Sequence, residues 1–326
     1  MPKKRKADHR PEEHTTSSKA TDSKQTGKLT TFLVALGVIA LILIIPGTGI
    51  YNFYVAPFRI NVIIVDDTPI RMDYLLKRLR LTNADPWDMI TTLINEQLIK
   101  TQAPKYGIEV NTDDIDQILR SIARGESANI TESEFKEWYR QQLNESDLSD
   151  SEYKDLVTIN LLLTPRLHEI LAERVPTVAE QIHLNVLDTE TFDDAKNAKT
   201  RFEAGEDFAD LAQGLSIDEE SAKNDGDIGW YPRGIMDNNI ESVIFNLSIG
   251  EISEPIPSEN GFSLIMVSEK SNAREVEEEH LQTLRDLALN DWLLEEMRSH
   301  EIKYNGLTNG FDSETHAWIN WQLSKE

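Results

Sequence analysis

Along the chain the apolar positions change period several times, and each change marks a different kind of element. Between Lys28 and Arg59 no residue is charged, and Leu29 to Ile45 is almost wholly Leu, Val, Ile, Ala and Phe. A helix of about 20 apolar residues crosses a bilayer. The run reaches that length through Pro46, Gly47 and Ile50, and closes on Tyr51, Phe53 and Tyr54, side chains suited to a membrane interface. Residues 29–55 are therefore expected to form a transmembrane anchor. A cleaved signal peptide has a shorter apolar core followed closely by a small-x-small site, and this run does not fit that pattern. Lys19, Lys24 and Lys28 precede the run and Arg59 is the first basic residue after it. The positive-inside rule then puts the N-terminus in the cytoplasm and the remaining residues outside.

Beyond the anchor, Arg59 to Val65 alternates and then runs apolar, Asp66-Asp67-Thr68-Pro69 supplies turn chemistry, and Ile70 resumes the pattern, which predicts a short hairpin. The period then lengthens. Tyr74, Leu75, Leu79 and Leu81 predict one helix, and Met89, Ile90, Leu93, Ile94, Gln97 and Leu98 a second that begins at Pro86 after Asp85. Helices are also predicted over 112–123, 132–143 and 151–174, the last kinked at Pro165. Residues 56–175 thus read as a mainly helical domain. From 176 the texture becomes mixed: a strand over 181–187, helices over 192–204 and 207–214, the segment Gly226-Asp227-Ile228-Gly229-Trp230, a helix over 240–247, a turn into strand at 249–252 and a buried strand over 261–267. That order is a compact α+β unit, 176–272, followed by a C-terminal helix and tail over 273–326.

Charge narrows the function. The net charge is −24, but Met1 to Lys28 carries eight Lys/Arg against four Asp/Glu, so the tail is +4 and the remainder −28. The tail 1–28 has too little apolar surface to fold and is expected to be disordered. A body this acidic repels nucleic acid, and the Lys3-Lys4-Arg5-Lys6 run does not change that. With no cysteine there is no disulfide, thiolate zinc site or thiol nucleophile. Seven histidines without metal-ligand spacing argue against a metal site, and Gly226-Asp227-Ile228-Gly229 lacks the Lys-Ser/Thr ending of a phosphate loop. No cofactor is expected, and the oligomeric state is left open.

Six motifs resemble the parvulin (PpiC-type) peptidyl-prolyl isomerases in order and spacing: Ile182-His183-Leu184, Glu203 to Ala212, Gly226 to Trp230, Arg233-Gly234-Ile235-Met236, Gly250 to Pro255 and Asn260-Gly261-Phe262. The helical region before them is similar to the N-terminal chaperone domain of SurA-like and PrsA-like extracytoplasmic folding factors, through the hairpin, Leu93 to Leu98 and Tyr106 to Val110. In those families a helix after the isomerase module packs back onto the N-terminal helices, and 275–299 is the candidate here.

The resemblance implies a membrane-anchored folding factor whose partners are unfolded exported polypeptides containing X-Pro bonds, with lipid contacted through 29–55. It assigns the proline pocket to Ile228, Met236 and Ile240, with Ile240 where the family has an aromatic Phe, and adds Phe262 beside it. His183 matches the first of the family's two core histidines, while Ser263 stands in place of the second. Asp218, or Glu219 if the loop shifts by one, corresponds to the position facing the substrate amide, and Ser258 to the usual Thr of the strand turn. Either the domain isomerises proline bonds with this altered network, or it has become a binding module within a holdase or assembly factor.

Overall fold

The computed structural model describes residues 32, 33, 36, 51, 52, 54–127, 129–308 and 310–325. The tail 1–28 and most of the proposed anchor 29–55 lie outside them. Among the described residues no helix is long and apolar enough to cross a membrane. The fold is mixed α+β with mainly helical content.

The first strands are β1 (Asn61–Val65) and β2 (Thr68–Arg71), an antiparallel hairpin turned at Asp66-Asp67, with Asp66 at a φ of 53°. Two residues suffice for that turn because a positive φ matches the twist of the strands, and Asp tolerates it. Helix α1 (Met72–Thr82) follows directly. Asp85 accepts the Trp87 N–H at 2.8 Å and Pro86 fills the first position of α2 (Pro86–Gln102), so a start legible in two residues is built as expected. Then come α3 (Thr112–Arg124), α4 (Glu132–Ser146) and α5 (Asp150–Val157), each opened by a reciprocal capping box. The kink expected at Pro165 takes the form of a π-helical turn over Thr158–Leu163 ahead of α6 (Thr164–Glu173). A proline ring collides with the carbonyl four residues earlier, here Leu161, and widening the preceding turn relieves the collision.

The hydrophobic core of this unit joins Val62 and Ile63 of β1, Leu75, Leu76 and Leu79 of α1, Leu93, Ile94 and Leu98 of α2 and Leu167 of α6. Residues far along the chain complete it. Helix α11 (Glu278–Ser299) contributes Trp292 and Leu293, whose indole N–H donates to Tyr106 Oη at 2.7 Å in the case of Trp292. A three-residue strand, β7 (Ile302–Tyr304), pairs with β1, and α12 (Ser313–Leu323) inserts Ile319. Inside the core, Arg78 and Glu96 form a two-pronged ion pair at 2.6 and 2.8 Å, with side chains 5% and 8% exposed.

The second unit is a four-stranded antiparallel sheet in the order β4-β3-β6-β5. Its members are β3 (Val178–Thr189), β4 (Asp227–Pro232), β5 (Ile256–Ser258) and β6 (Gly261–Glu275). Helices α7 (Phe192–Glu203) and α8 (Phe208–Leu215) cover one face, α10 (Asn238–Ile244) the other, and the short α9 (Glu219–Lys223) sits between α8 and β4. The turn from β5 into β6 demands Gly261: its φ is 146°, and a Cβ there would lie 2.1 Å from the Thr189 carbonyl oxygen. The expected strand at 249–252 reduces to a single bridge between Ile252 and Met266. Both long strands exceed their predicted lengths, because the polar ends of β3 and β6 pair with each other where neither shows an apolar signal.

Candidate functional site

Side chains alternate across a strand, so the phase of β3 decides what reaches each face. Ile182, Leu184 and Val186 pack with Ile244, Phe245, Ile265 and Val267 under α10, while Leu187 packs with Ala195, Ala198, Phe208 and Leu211 under α7 and α8. Continuing that phase carries Asp188 to the α10 side. There it borders a cleft of about 370 Å³ lined by Val186, Asp188, Ile217, Asp218, Ser258 and Ser263. Asp188 and Ser263 are cross-strand partners, and the Ser263 hydroxyl donates to the Asp188 carboxylate. The Asp188 N–H donates to Ser216 Oγ at 3.1 Å and the Ile217 N–H to the Asp188 carbonyl at 2.9 Å. These bonds fasten the 216–218 loop to β3 and bring Asp218 to the cleft.

Asp218 is also the N-cap of α9. Its carboxylate accepts the Ser221 N–H at 2.7 Å, and that bond holds its pKa below the usual carboxylate range. Glu219 lies outside the cleft, paired with Lys223 at 3.3 Å on the exposed side of α9. Ser258 stands on the rim, at the end of edge strand β5.

Next to the cleft is a packed apolar cluster. Ile228, Met236 and Ile240 cluster there with Val186, Leu247 and Ile256. Val186 and Ile265 belong to both, so the apolar cluster backs the wall of the polar cleft. The loop bearing Met236 is held by Glu241, a buried carboxylate that accepts the N–H groups of Gly234, Ile235 and Met236. Across this loop, Leu284 of α11 approaches Gly234, where an added Cβ would meet it at 3.0 Å. The pocket loop therefore rests on the helix whose far end belongs to the N-terminal core.

Two residues expected at the site sit elsewhere. His183, between Ile182 and Leu184, is turned by the alternation to the opposite face. Its Nδ1 bonds Ser268 Oγ at 2.7 Å, its Nε2 lies 3.4 Å from Asp227, and its ring stands edge-on to Trp230 at 5.2 Å. It is a satisfied structural histidine, remote from the cleft residues. Phe262 is carried away from Ser263 by the same rule: it packs with the α7 and α8 cluster and meets Phe192 edge-on at 5.5 Å. Asp188 and Glu241 were missed by sequence reasoning. A carboxylate in a chain this acidic carries no local signal, although the directness of the Asp188–Ser263 pairing follows once the β3–β6 register is known.

This four-stranded antiparallel sheet, with helices on both faces and an apolar cluster beside a polar cleft, coincides with a match to a parvulin-type domain. Residues 185–269 match the rotamase family, PPIC-type PPIASE domain, and the chain carries that domain; the match begins two residues after His183. The chain is similar to proteins called foldase protein PrsA. That of Halalkalibacterium halodurans is 38% identical over 102 residues, covering 31% of this chain and 30% of the relative. That of Oceanobacillus iheyensis is 28% identical over 193 residues, covering 56% and 60%. The chain thus spans from about a third to three-fifths of the length of these curated relatives. A PrsA peptidylprolyl isomerase structure from Bacillus cereus aligns over 82% of this chain and 92% of that one, at 16% identity and a TM-score of 0.37.

Proposed function

We propose that this protein is a membrane-anchored peptidyl-prolyl cis-trans isomerase and chaperone that assists the folding of exported polypeptides. The observation that carries the reading is the juxtaposition, inside the stretch that matches the PPIC-type domain, of the Ile228–Met236–Ile240 apolar cluster and the Asp188–Ser263 cleft. An X-Pro amide rotates over a barrier of about 18–20 kcal/mol, and no bond has to break. A catalyst must grip the proline ring while favouring the twisted amide over the planar one. Apolar side chains seat the ring, and they also disfavour the more polar planar amide by excluding water. The Ser258 hydroxyl is suited to donate to the carbonyl oxygen or the pyramidal nitrogen of the twisted form, while Ser263, whose one proton goes to Asp188, offers an acceptor oxygen. Asp188 orients the Ser263 hydroxyl, and Asp218 faces the substrate from the loop.

The helical unit and the charge-free run at 29–55 support the remainder: capture of unfolded chains on the outer side of a membrane. Similarity to proteins named foldases supports the same role. A second reading, a non-enzymatic holdase, is favoured by one observation: no histidine lines the cleft, where Val186, Asp188 and Ser263 stand. Exchange spectroscopy on a proline peptide with the full chain in detergent separates the two. The isomerase reading expects cis-trans exchange above the uncatalysed rate, reduced by Ser263→Ala and Asp188→Asn. A rate equal to the uncatalysed one, with aggregation of an unfolded client still suppressed, would leave the holdase.

A further inference from the structure

We infer that α12 forms, together with the segment following the charge-free run, an aromatic foot that rests on the surface of a bilayer containing anionic phospholipid. The inference rests on the reading of 29–55 as a membrane anchor, and adds a second point of contact contributed by the opposite end of the chain. Where that run ends, at Tyr54 to Phe58, the structure forms one wall of a groove of about 520 Å³ whose other wall is α12, with Trp318, Trp321 and Lys325. Of its lining residues none carries a carboxylate, in a chain with 57 Asp and Glu.

Its chemistry is that of a membrane interface. Trp321 is 49% exposed and Tyr54 66%, two large aromatic side chains that line the same groove. Tyr and Trp rings favour the headgroup level of a bilayer, apolar body inward and polar edge toward water. Lys325 lies over the Trp321 ring, its Nζ 3.2 Å from the ring centroid, and supplies the positive charge that an anionic headgroup attracts. The foot cannot drift from the anchor: Phe58 meets Trp318 edge-on at 5.3 Å, and Ile319, on the same helix, is fully buried in the core. An interfacial aromatic surface held a few residues from the end of a bilayer-length apolar run has one neighbour of matching chemistry, the membrane that the run enters.

The absence of cysteine makes the test direct. The full chain carrying Ser324→Cys at the exposed end of α12, or Ser242→Cys on α10 as a remote control, is labelled with an environment-sensitive fluorophore. It is then reconstituted into vesicles with and without a headgroup-quencher lipid. Flotation with the vesicles reads the anchor separately; a chain that does not float refutes the anchor reading, and this inference with it. For a chain that floats, the inference expects quenching at S324C and none at S242C, lost in the Trp321→Ala background. It also expects weaker quenching in the Lys325→Glu background on anionic but not on neutral vesicles. Circular dichroism verifies that these exposed substitutions leave the fold intact. Quenching at S324C no greater than at S242C, or unchanged by Trp321→Ala, overturns the foot while leaving the anchor standing.

Discussion

Glu241 offers the sharpest test of how the Met236 loop is held. It is 8% exposed, and one carboxylate oxygen accepts three successive backbone N–H groups, from Gly234, Ile235 at 3.1 Å and Met236 at 3.4 Å. A hydrogen bond to a charged group contributes about 1.5–3 kcal/mol, so the two shorter bonds represent roughly 3–6 kcal/mol if nothing replaces them. The loop is only half buried, and water recovers part of this, leaving an expected loss of about 2–4 kcal/mol for Glu241→Ala. Glu241→Gln keeps an acceptor oxygen and loses only the charge, so its effect should be about half as large. With a urea slope of about 1–3 kcal/mol/M, the alanine variant should unfold about 1–2 M earlier, followed by the emission of Trp230 in the same domain. Faster hydrogen exchange should appear at the 234–236 amides before anywhere else in the sheet. In an isomerase assay KM should rise more than kcat falls, because the role proposed for Met236 is to seat the ring and not to touch the rotating bond. A variant within about 0.5 kcal/mol of the parent, with unchanged exchange at these amides, would refute the account, since that is the scatter of an ordinary surface substitution.

Other perturbations separate structure from chemistry. His183→Ala should leave isomerisation intact while lowering stability by about 1–2 kcal/mol, the worth of its bonds to Ser268 and Asp227, measured by urea unfolding; a large loss of turnover in a folded protein would return His183 to the site. Arg78→Ala should cost about 3–5 kcal/mol because it strands the buried Glu96 carboxylate, whereas Arg78→Met with Glu96→Leu should recover most of the thermal midpoint. Asp66 has its carboxyl held below the usual range by the His300 side chain, whose Nδ1 lies 2.7 Å away, and by the Glu301 N–H. A depressed carboxylate stabilises the fold fully above its unfolded value of about 4, and that contribution is lost as pH falls through the folded value. Urea midpoints below pH 4 should therefore decline less steeply in His300→Gln than in the parent.

What could be read from the residues alone was set by neighbours in the chain. Asp85-Pro86 and the capping residues Asn111, Thr131 and Ser149 start helices, Asp66-Asp67 turns a hairpin and Gly261 permits a backbone that no side chain tolerates, because caps and turns are satisfied within a few residues. Motif spacing also picked out Ile228, Met236 and Ile240, which share one apolar cluster, and Asp218, Ser258 and Ser263, which line one cleft. What remained hidden depends on register. β3 pairs with β6 through irregularities at Ala179/Gln181 and His183/Leu184, and which of His183 and Asp188 faces the cleft follows from the phase those bulges and pairings impose. The resemblance did anticipate the return of α11 to the first core, but β7, the Arg78–Glu96 pair and the return of α12 join residues too far apart in the chain for local preference to speak. Local chemistry determined the elements and named the family of site, but only the pairing of distant strands decided which carboxylate and which hydroxyl share the cleft, since a shift of one residue along a strand exchanges its two faces.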